Sequence, residues 1–447
     1  MLANALERFF RLHDNRTTIR TEVIAGLTTF VAMAYIIAVN PLVLAGSGSG
    51  TGMDFGAVMV ATCAASALAT LVMGLWVNYP FALAPGMGLN AFFAYSLCGA
   101  MGLPWRTALG VVFISGVCAV VVTASKVRET IILAIPAHLK AAVAAGIGLF
   151  IAFIGFKNAG IVVDHPATFV HLGDVGTPEV LLALGGLVLT GVLLVRRVTG
   201  AILLGMLAIT AAGLFVHGPD GVPLTRFTPG SLWLLDVPPS VVPGLFELDI
   251  RGAFKLSLFA PIFSLFFVDL FDTVGTFVGV AGRVGLIDSQ GRLTRGRQAL
   301  FADSLGTIFG SLLGTSNTTT YVESAAGVNA GGRTGLTAVV VGLCFMLSLF
   351  LAPLVRAVPA VATAPALILV GALMAAALKD IDWHDLFLAV PAFLTVILMP
   401  LTFSIATGLA CGFVTHVLLA VLTGRARELH WFMVVLTVLF GVYFAIQ

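Results

Sequence analysis

The sequence predicts an all-α polytopic membrane protein built as a seven-plus-seven inverted repeat. Three observations predict this fold. Hydrophobic residues make up 59% of the 447 residues and charged residues only 10%, the apolar stretches are about 20 residues long, as a bilayer requires, and two of them are interrupted in mid-course. The mean hydropathy of +1.08 excludes a soluble globular chain. The net charge of +2 gives no reason to expect a nucleic-acid partner.

Charged residues and Pro/Gly clusters divide the chain into two sets of apolar segments, numbered here 1 to 14. The first set lies at 22–42, 56–77, 81–99, 105–125, 138–156, 178–195 and 199–216. After a polar connection that contains Pro238, Pro239 and Pro243, the second set lies at 256–282, 298–313, 316–330, 335–355, 360–378, 386–402 and 404–422. A last apolar stretch at 431–446 is either a further span or an interfacial helix.

The same division predicts the domains and the orientation. The domains are a cytoplasmic N-terminus at 1–21, a first repeat at 22–217, an extracytoplasmic connection at 218–253, a second repeat at 254–423 and a C-terminal apolar segment at 424–447. The chain has 23 lysine and arginine residues. If the N-terminus is cytoplasmic, the basic residues that fall outside the cell are Arg106, Lys157, Arg226, Arg251, Lys255 and Arg356. The positive-inside rule therefore predicts a multi-pass protein of the cell membrane. Because each half has seven spans, an odd number, the second half enters the membrane from the opposite side, as an inverted repeat requires.

The third segment of each half is expected to be broken. The first of these, segment 3, reads YPFALAPGMGLNAFF at 79–93, where Pro85, Gly86 and Gly88 interrupt an apolar run. Its counterpart, segment 10, lies in GTSNTTTYVESAAGVNAGG at 314–332, which is too polar and β-branched for an ordinary spanning helix. A short extended piece followed by a half-helix leaves backbone N–H groups unpaired. Paired breaks of this kind indicate a binding site at the membrane midplane.

Segment 8 supplies an acidic stripe opposite the breaks. Asp269, Asp272, Thr273 and Thr276 share one helical face, and the helix is otherwise rich in Phe. An ionised carboxylate at the bilayer centre costs about 2.5–3.5 kcal/mol, so such groups are kept mainly to handle substrates, ions or protons. A polar stripe with aromatic neighbours suits a flat ligand that forms hydrogen bonds. The alternative is that these aspartates only bond backbone groups freed by the breaks.

Other polar residues of the membrane segments allow two interpretations each. Asn90, after the break in segment 3, could bind a ligand or cap the local backbone. Glu323 could belong to a ligand site or to a capping box with Thr320. Asp303 in segment 9 could relay protons, although interhelical hydrogen bonding is favoured. The GxxxGxxxG run at 306–314 predicts close helix packing.

Cysteine, histidine and Asn-Thr-Thr patterns argue against several other sites. The cysteines are scattered through apolar segments without metal or disulfide spacing, and the histidines form no ligand motif. The sequence therefore predicts no cofactor and no metal. Asn317, in the run Asn-Thr-Thr, is predicted to be buried in the membrane rather than glycosylated.

Three motifs resemble the AzgA-like branch of the nucleobase–cation symporter 2 family, the adenine/guanine/hypoxanthine permeases. They are DLFDTVGT at 269–276, APGMGLNAFF at 84–93 and TSNTTTYVES at 315–324. The resemblance extends along the chain through TEVIAGLTTFVAMAYIIAVNP at 21–41 and KDIDWHDL at 379–386. It implies a core domain, a gate domain that mediates dimerisation, elevator-type movement, and proton-coupled uptake of purine bases.

The resemblance also implies a site. It places Asn90, Asp269, Asp272 and Glu323 among the substrate and coupling residues. Together with neighbouring residues, the predicted substrate-binding set is Gly88, Asn90, Asp269, Thr273, Asn317, Thr318 and Glu323, and the predicted proton-coupling set is Asp269, Asp272 and Glu323. Segments 1–4 and 8–11 would form the core, segments 5–7 and 12–14 the gate. The predicted partners are a purine base, a proton, the lipid bilayer and a second copy of the chain.

Two competing classes are weaker but stay open. An anion transporter of related fold would prefer a basic residue near the paired half-helix ends, where this chain has Asn90 and Glu323. An intramembrane aspartic protease would also bury aspartates, yet Asp269 and Asp272 share one helix and no GxGD segment appears. We therefore expect a secondary transporter rather than an enzyme. The sequence does not rank adenine, guanine and hypoxanthine, and protons are favoured over sodium only by analogy.

Overall fold

The computed structural model describes residues 2–46, 50–125, 134–227, 235–281, 286 and 293–446. Within this part, nine helical stretches are long and apolar enough to cross a bilayer, and the helical membrane fold is confirmed. Each of segments 1 to 14 is present as a helix or as a strand followed by a half-helix. Segments 7 and 13 are shorter apolar helices.

The first half follows the predicted order of segments. Segment 1 divides into two helices, Ile19–Met33 and Ile36–Ala45, and segment 3 contains the half-helix Met87–Ala91. The helices of segments 2, 4, 5, 6 and 7 are Phe55–Val72, Trp105–Ala124, Ala137–Asn158, Pro178–Val195 and Ala201–Ala212. Segments 2 and 3 continue as π-helices, Met73–Val77 and Phe92–Ala100. A helix at Leu2–Phe10 precedes them all.

The second half repeats the pattern. Segment 8 is the helix Phe259–Ala281, and segment 10 contains the half-helix Ser324–Asn329. The helices of segments 9, 11, 12, 13 and 14 are Gly296–Leu313, Gly335–Leu347 with Ala352–Ala357, Ala360–Ala375, Leu386–Leu401 and Ile405–Leu422. The last apolar stretch is a helix, Trp431–Ile446. A short helix, Ile250–Ala253, lies in the connection between the halves.

Side chains at the helix ends explain where several segments begin and end. Asp54 caps segment 2 by accepting a hydrogen bond of 2.7 Å from the N–H of Ala57, and Ser404 caps segment 14 in the same way. Such caps satisfy N–H groups that have no partner inside the helix. Gly314 ends segment 9 with a φ of +96°, in the left-handed region that glycine adopts without strain.

The most extensive helix contacts form two sets. Segment 9 packs against segments 2 and 4, and segment 11 packs against segments 1 and 2. Separately, segment 5 packs against segments 12 and 13, while segment 6 packs against segments 7 and 12. The backbones of segments 5 and 12 approach closely where Gly148 faces Gly371, as small residues permit in membrane helices.

The two broken segments meet in an antiparallel strand pair. Strand Leu83–Pro85 of segment 3 pairs with strand Thr318–Thr320 of segment 10, with Ala84 opposite Thr319. An extended piece followed by a half-helix was predicted for each segment and is confirmed. Their pairing with each other was not predicted. A second strand pair, Val162–His165 with Phe169–Leu172, forms a hairpin after segment 5 that the sequence analysis also missed.

Candidate functional site

The strand pair forms the base of the candidate site. At its edges, the N–H of Gly86 donates to the carbonyl of Asn317 at 3.0 Å, and the N–H of Tyr321 donates to the carbonyl of Ala82 at 2.9 Å. The Tyr321 hydroxyl donates to the carbonyl of Pro85 at 2.5 Å. Backbone groups freed by the breaks are thus satisfied largely across the pair. The aspartates of segment 8 are consequently left with side-chain partners, which disfavours a purely backbone-capping role for them.

Asp269 lies on the buried side of the acidic stripe, where 2% of the residue is exposed. Its Oδ2 atom accepts hydrogen bonds from the hydroxyl of Thr307 at 3.1 Å and from the amide Nδ2 of Asn317 at 3.5 Å. Thr307 belongs to segment 9, and its single hydroxyl hydrogen is shared between Asp269 and the carbonyl of Thr318, which lies 3.0 Å from the same oxygen. Asp269 therefore connects segment 8 to both the strand of segment 10 and the helix behind it.

Asp272, one helical turn further on, has different surroundings. It is exposed, and its carboxylate accepts one long hydrogen bond, 3.4 Å, from the Thr319 hydroxyl. Gly275 and Gly279 continue the same open side, because a Cβ atom built at either of them meets no atom within 4 Å. We call this open side of segment 8 the crevice. The carboxylate of Asp272 is therefore not enclosed by protein, whereas that of Asp269 is.

Glu323 lies half-buried at the start of the half-helix of segment 10. Its Oε1 atom accepts a hydrogen bond of 2.7 Å from the hydroxyl of Tyr35 in segment 1. The side chain does not cap its half-helix, and the Thr320 hydroxyl donates to Asp303 instead, at 3.0 Å. The capping-box interpretation is therefore wrong, because both side chains are committed to partners in other segments.

Asp303 is buried behind the strand pair, with 3% of the residue exposed. Its Oδ1 atom accepts hydrogen bonds from the hydroxyls of Thr273 at 2.9 Å and Thr320 at 3.0 Å. Thr273 also lies 2.9 Å from the hydroxyl oxygen of Thr319. Interhelical hydrogen bonding by Asp303 is thus confirmed, and the predicted site residue Thr273 forms part of this network rather than of the crevice.

Four of the predicted substrate-binding residues each carry a buried polar atom that has no hydrogen-bond partner in the described structure. These atoms are Nδ2 of Asn90, Oδ1 of Asp269, Oδ1 of Asn317 and Oγ1 of Thr318. The Oδ1 atom of Asn90 accepts from the Ser316 hydroxyl, so only its amide nitrogen is unpaired. Buried polar atoms without partners are uncommon in folded proteins. These four belong to the two broken segments and to segment 8, whereas other unpaired buried atoms, such as those of His138 and Thr190, lie in other segments.

Gly88 lies away from the acidic stripe, where the half-helix of segment 3 meets segment 5. A Cβ atom built on it would be 2.5 Å from Cγ2 of Ile147 and 4.0 Å from its Cβ. Such proximity requires glycine or a shift of the neighbour. In this conformation, the structure places Gly88 at a helix contact.

Comparison with known proteins gives the family. Residues 20–411 match the permease family. The adenine permease AdeP of Escherichia coli strain K12 is 43% identical over 438 residues, which cover 97% of this chain and 95% of the relative. The guanine/hypoxanthine permease PbuG of Bacillus subtilis strain 168 is 45% identical over 446 residues, covering 98% and 99%. The chain belongs to the permease family. The resemblance drawn from the three motifs is confirmed, and this permease is a transporter rather than an enzyme.

A solved structure supports the fold of the permease. The transmembrane domain of the cyanobacterial bicarbonate transporter BicA superposes with a TM-score of 0.60, covering 88% of this chain and 97% of that domain. Its sequence is 16% identical, so the likeness concerns the fold alone. The permease is accordingly a multi-pass membrane protein with the fold of that transporter domain.

Sequence analysis missed several residues that hold the site of the permease together. Tyr35 donates a hydrogen bond to Glu323, and Thr307 donates one to Asp269. Ser115 of segment 4 accepts one from Asn317 at 3.2 Å. Each of the three is a hydroxyl-bearing side chain in a membrane helix to which the motifs assign no role. The signal that could have found them is burial of a hydroxyl in a membrane segment, since such a group needs a partner.

Proposed function

We propose that this permease imports purine nucleobases together with protons, by movement of a core domain against a gate domain. The observation that carries the proposal is the set of unpaired buried atoms on Asn90, Asp269, Asn317 and Thr318. A purine edge carries ring N–H and exocyclic donors next to ring nitrogen and carbonyl acceptors. An amide nitrogen, two acceptor oxygens and a hydroxyl complement such an edge. Relatives named for adenine and for guanine/hypoxanthine, similar along nearly the whole chain, support the same substrate class.

Proton coupling is assigned to the carboxylates of the crevice. Asp272 is exposed and Glu323 is half-buried, so both can receive a proton from water, and a proton removes a charge that is costly at membrane depth. We propose that loading the proton and binding the base favour the same conformation. The unpaired Oδ1 atom of Asp269 accepts a hydrogen bond from the base, while its Oδ2 atom accepts from Thr307 and Asn317.

The elevator assignment rests on the two packing sets of the fold. Segments 1–4 and 8–11 would move as the core, and segments 5–7 and 12–14 would stay as the gate, which also forms the homodimer. Gly88 and Ile147 lie at a contact between the two bodies, where a small residue permits sliding. We place the permease in the cell membrane with its N-terminus in the cytoplasm.

Uptake of labelled bases into proteoliposomes tests substrate and coupling together. We expect accumulation of adenine, guanine or hypoxanthine when the outside is mildly acidic, and loss of accumulation with a protonophore. Uptake that needs a sodium gradient and resists the protonophore would refute proton coupling. Transport of bicarbonate, without competition by any purine, would refute the base assignment and favour an anion transporter.

The anion alternative gains support only from the fold shared with BicA. Asn90 lies in the half-helix of segment 3, and Glu323 precedes that of segment 10. A carboxylate at that position repels an anion and favours a neutral ligand. The base panel with bicarbonate therefore decides between the two substrate classes.

A disulfide between the bodies tests the movement. The built Cβ of Gly88 and the Cβ of Ile147 are 4.0 Å apart, within the range of about 3.5–4.5 Å for disulfides. We expect the double variant Gly88→Cys/Ile147→Cys to lose uptake when oxidised, to regain it on reduction, and to bind base from one side throughout. The double variant Gly88→Ser/Ile147→Ser, which matches the size of the two cysteines and cannot form a disulfide, serves as the matched control. Full uptake after complete cross-linking would replace the elevator with a local gate.

A further inference from the structure

Tyr35 is a buried tyrosine at the interruption of segment 1. The helix Ile19–Met33 ends before it, the helix Ile36–Ala45 begins after it, and the N–H of Ile37 donates to the carbonyl of Ala34 rather than one residue further back. Only 1% of Tyr35 is exposed. Segment 1 thus changes its course where it faces the half-helix of segment 10, which packs against it.

The hydroxyl of Tyr35 has one specific partner among the described side chains. It donates to Oε1 of Glu323 at 2.7 Å, a distance typical of a strong hydrogen bond to a carboxylate. The half-helix approaches segment 1 closely here, since a Cβ atom built at Gly327 would lie 2.1 Å from Oγ1 of Thr29. Close packing fixes the distance between the two segments and therefore the orientation of the Glu323 side chain.

We propose that Tyr35 is a positioning residue that holds the Glu323 carboxylate in place and sets the pH at which this carboxylate takes up the coupling proton. This inference rests on the proposed function, because it assigns Glu323 to proton coupling. Tyr35 contacts Glu323 and is not assigned to the base or to the crevice. Nothing in the sequence motifs of segment 10 indicates it, since Tyr35 lies far away along the chain.

The direction of the effect follows from the donor. A hydroxyl that donates to a carboxylate stabilises the ionised form. Removing that hydrogen bond therefore makes Glu323 accept a proton at higher pH. The other titratable groups that face Glu323 are Tyr321 of the same segment and Asp272 of segment 8. Tyr321 donates its hydroxyl to the carbonyl of Pro85 and so does not hold the carboxylate.

The pH dependence of base binding tests the proposal, with labelled hypoxanthine, adenine and guanine as probes on the purified full chain. We expect Tyr35→Phe to move the midpoint of the profile to higher pH by about one unit, the size of one hydrogen bond to a charged group. Tyr79→Phe is the matched control, because it also removes one buried tyrosine hydroxyl, which bonds Thr294 and the N–H of Arg295 and not a carboxylate. We expect it to leave the midpoint in place.

A second variant keeps the test decisive if Tyr35→Phe folds poorly. Site-specific incorporation of a fluorotyrosine at position 35 preserves the ring and makes the hydroxyl a stronger donor, so the midpoint should move to lower pH. Unchanged midpoints in both Tyr35 variants, or an equal shift in Tyr79→Phe, would overturn the role of Tyr35. Failure of the wild-type permease to bind any purine would instead overturn the proposed function, so the two failures are distinguishable.

Discussion

Asp269 and Asp272 lie one turn apart on the same face of segment 8 and yet have opposite surroundings. Asp269 is 2% exposed and accepts from two side chains, whereas Asp272 is exposed and has one long contact. The difference extends to two further carboxylates. Asp303 shares the buried side, and Glu323 shares the crevice side. The comparison teaches that carboxylates one turn apart on one polar helix face can differ sharply in burial and in hydrogen-bond partners.

Neutralising the crevice carboxylates should have the largest effect. We expect Glu323→Gln and Asp272→Asn each to reduce proton-driven accumulation of base to the level of protein-free vesicles, because an amide keeps the size of the side chain but cannot take up and release a proton. The measurement is labelled hypoxanthine uptake under an imposed pH gradient. Membrane insertion, followed by the yield of monodisperse protein, should be unchanged.

Exchange transport separates coupling from binding in these variants. If the crevice pair handles the proton, vesicles preloaded with base should still exchange it in at least one of the two variants. If both variants accumulated base as the wild type does, the crevice carboxylates would not be needed for proton coupling. The functional distinction between them and the buried pair Asp269 and Asp303 would then be wrong.

Asp269→Asn should have a smaller effect of a different kind. An amide at this position can keep one oxygen for Thr307 while offering a donor where the carboxylate offers its unpaired acceptor. We expect base binding to weaken about 10- to 100-fold, which corresponds to one hydrogen bond to a charged group. Equilibrium binding of labelled base measures it. If the variant bound base as tightly as the wild type and lost only the coupling to protons, Asp269 would not be a base-binding residue.

Asp303→Asn should have the smallest effect. The amide oxygen can still accept from Thr273 and Thr320, so we expect uptake within about threefold of wild type, since both interhelical bonds are retained. Asp303→Leu leaves both hydroxyls without this acceptor, which costs about 1–3 kcal/mol for each unsatisfied group. Thermal unfolding in detergent compares the two variants. A severe loss of uptake in a stable Asp303→Asn protein would show that the buried pair also handles protons.

Much of this fold could be predicted because hydropathy and backbone chemistry fix it locally. Apolar stretches of bilayer length place the segments, and Pro85, Gly86 and the run of threonines at 318–320 place the breaks. The helical period correctly places Asp269 and Asp272 on one helix. These features depend on residues close together along the chain, so a sequence displays them directly.

The rest depends on contacts between distant residues. Which aspartate faces the crevice is decided by Thr307 and Asn317, which reach Asp269 from other segments. The capping box failed for the same reason, because Tyr35 takes the Glu323 carboxylate and Asp303 takes the Thr320 hydroxyl. A local motif states what a side chain can do, and tertiary partners decide which option is used.

The pairing of Leu83–Pro85 with Thr318–Thr320 has a consequence for biosynthesis. A ribosome delivers the first strand to the membrane long before the second exists, so most of its backbone polar groups must wait for their partners. Leu83 is an exception, because the hydroxyl of Thr70 in segment 2 accepts a hydrogen bond from its N–H and donates one to its carbonyl. Both of these partners belong to the first half of the chain. The strand pair and the candidate site beside it are therefore completed only when the second half has been inserted, and until then the edge of the first strand has no partner strand.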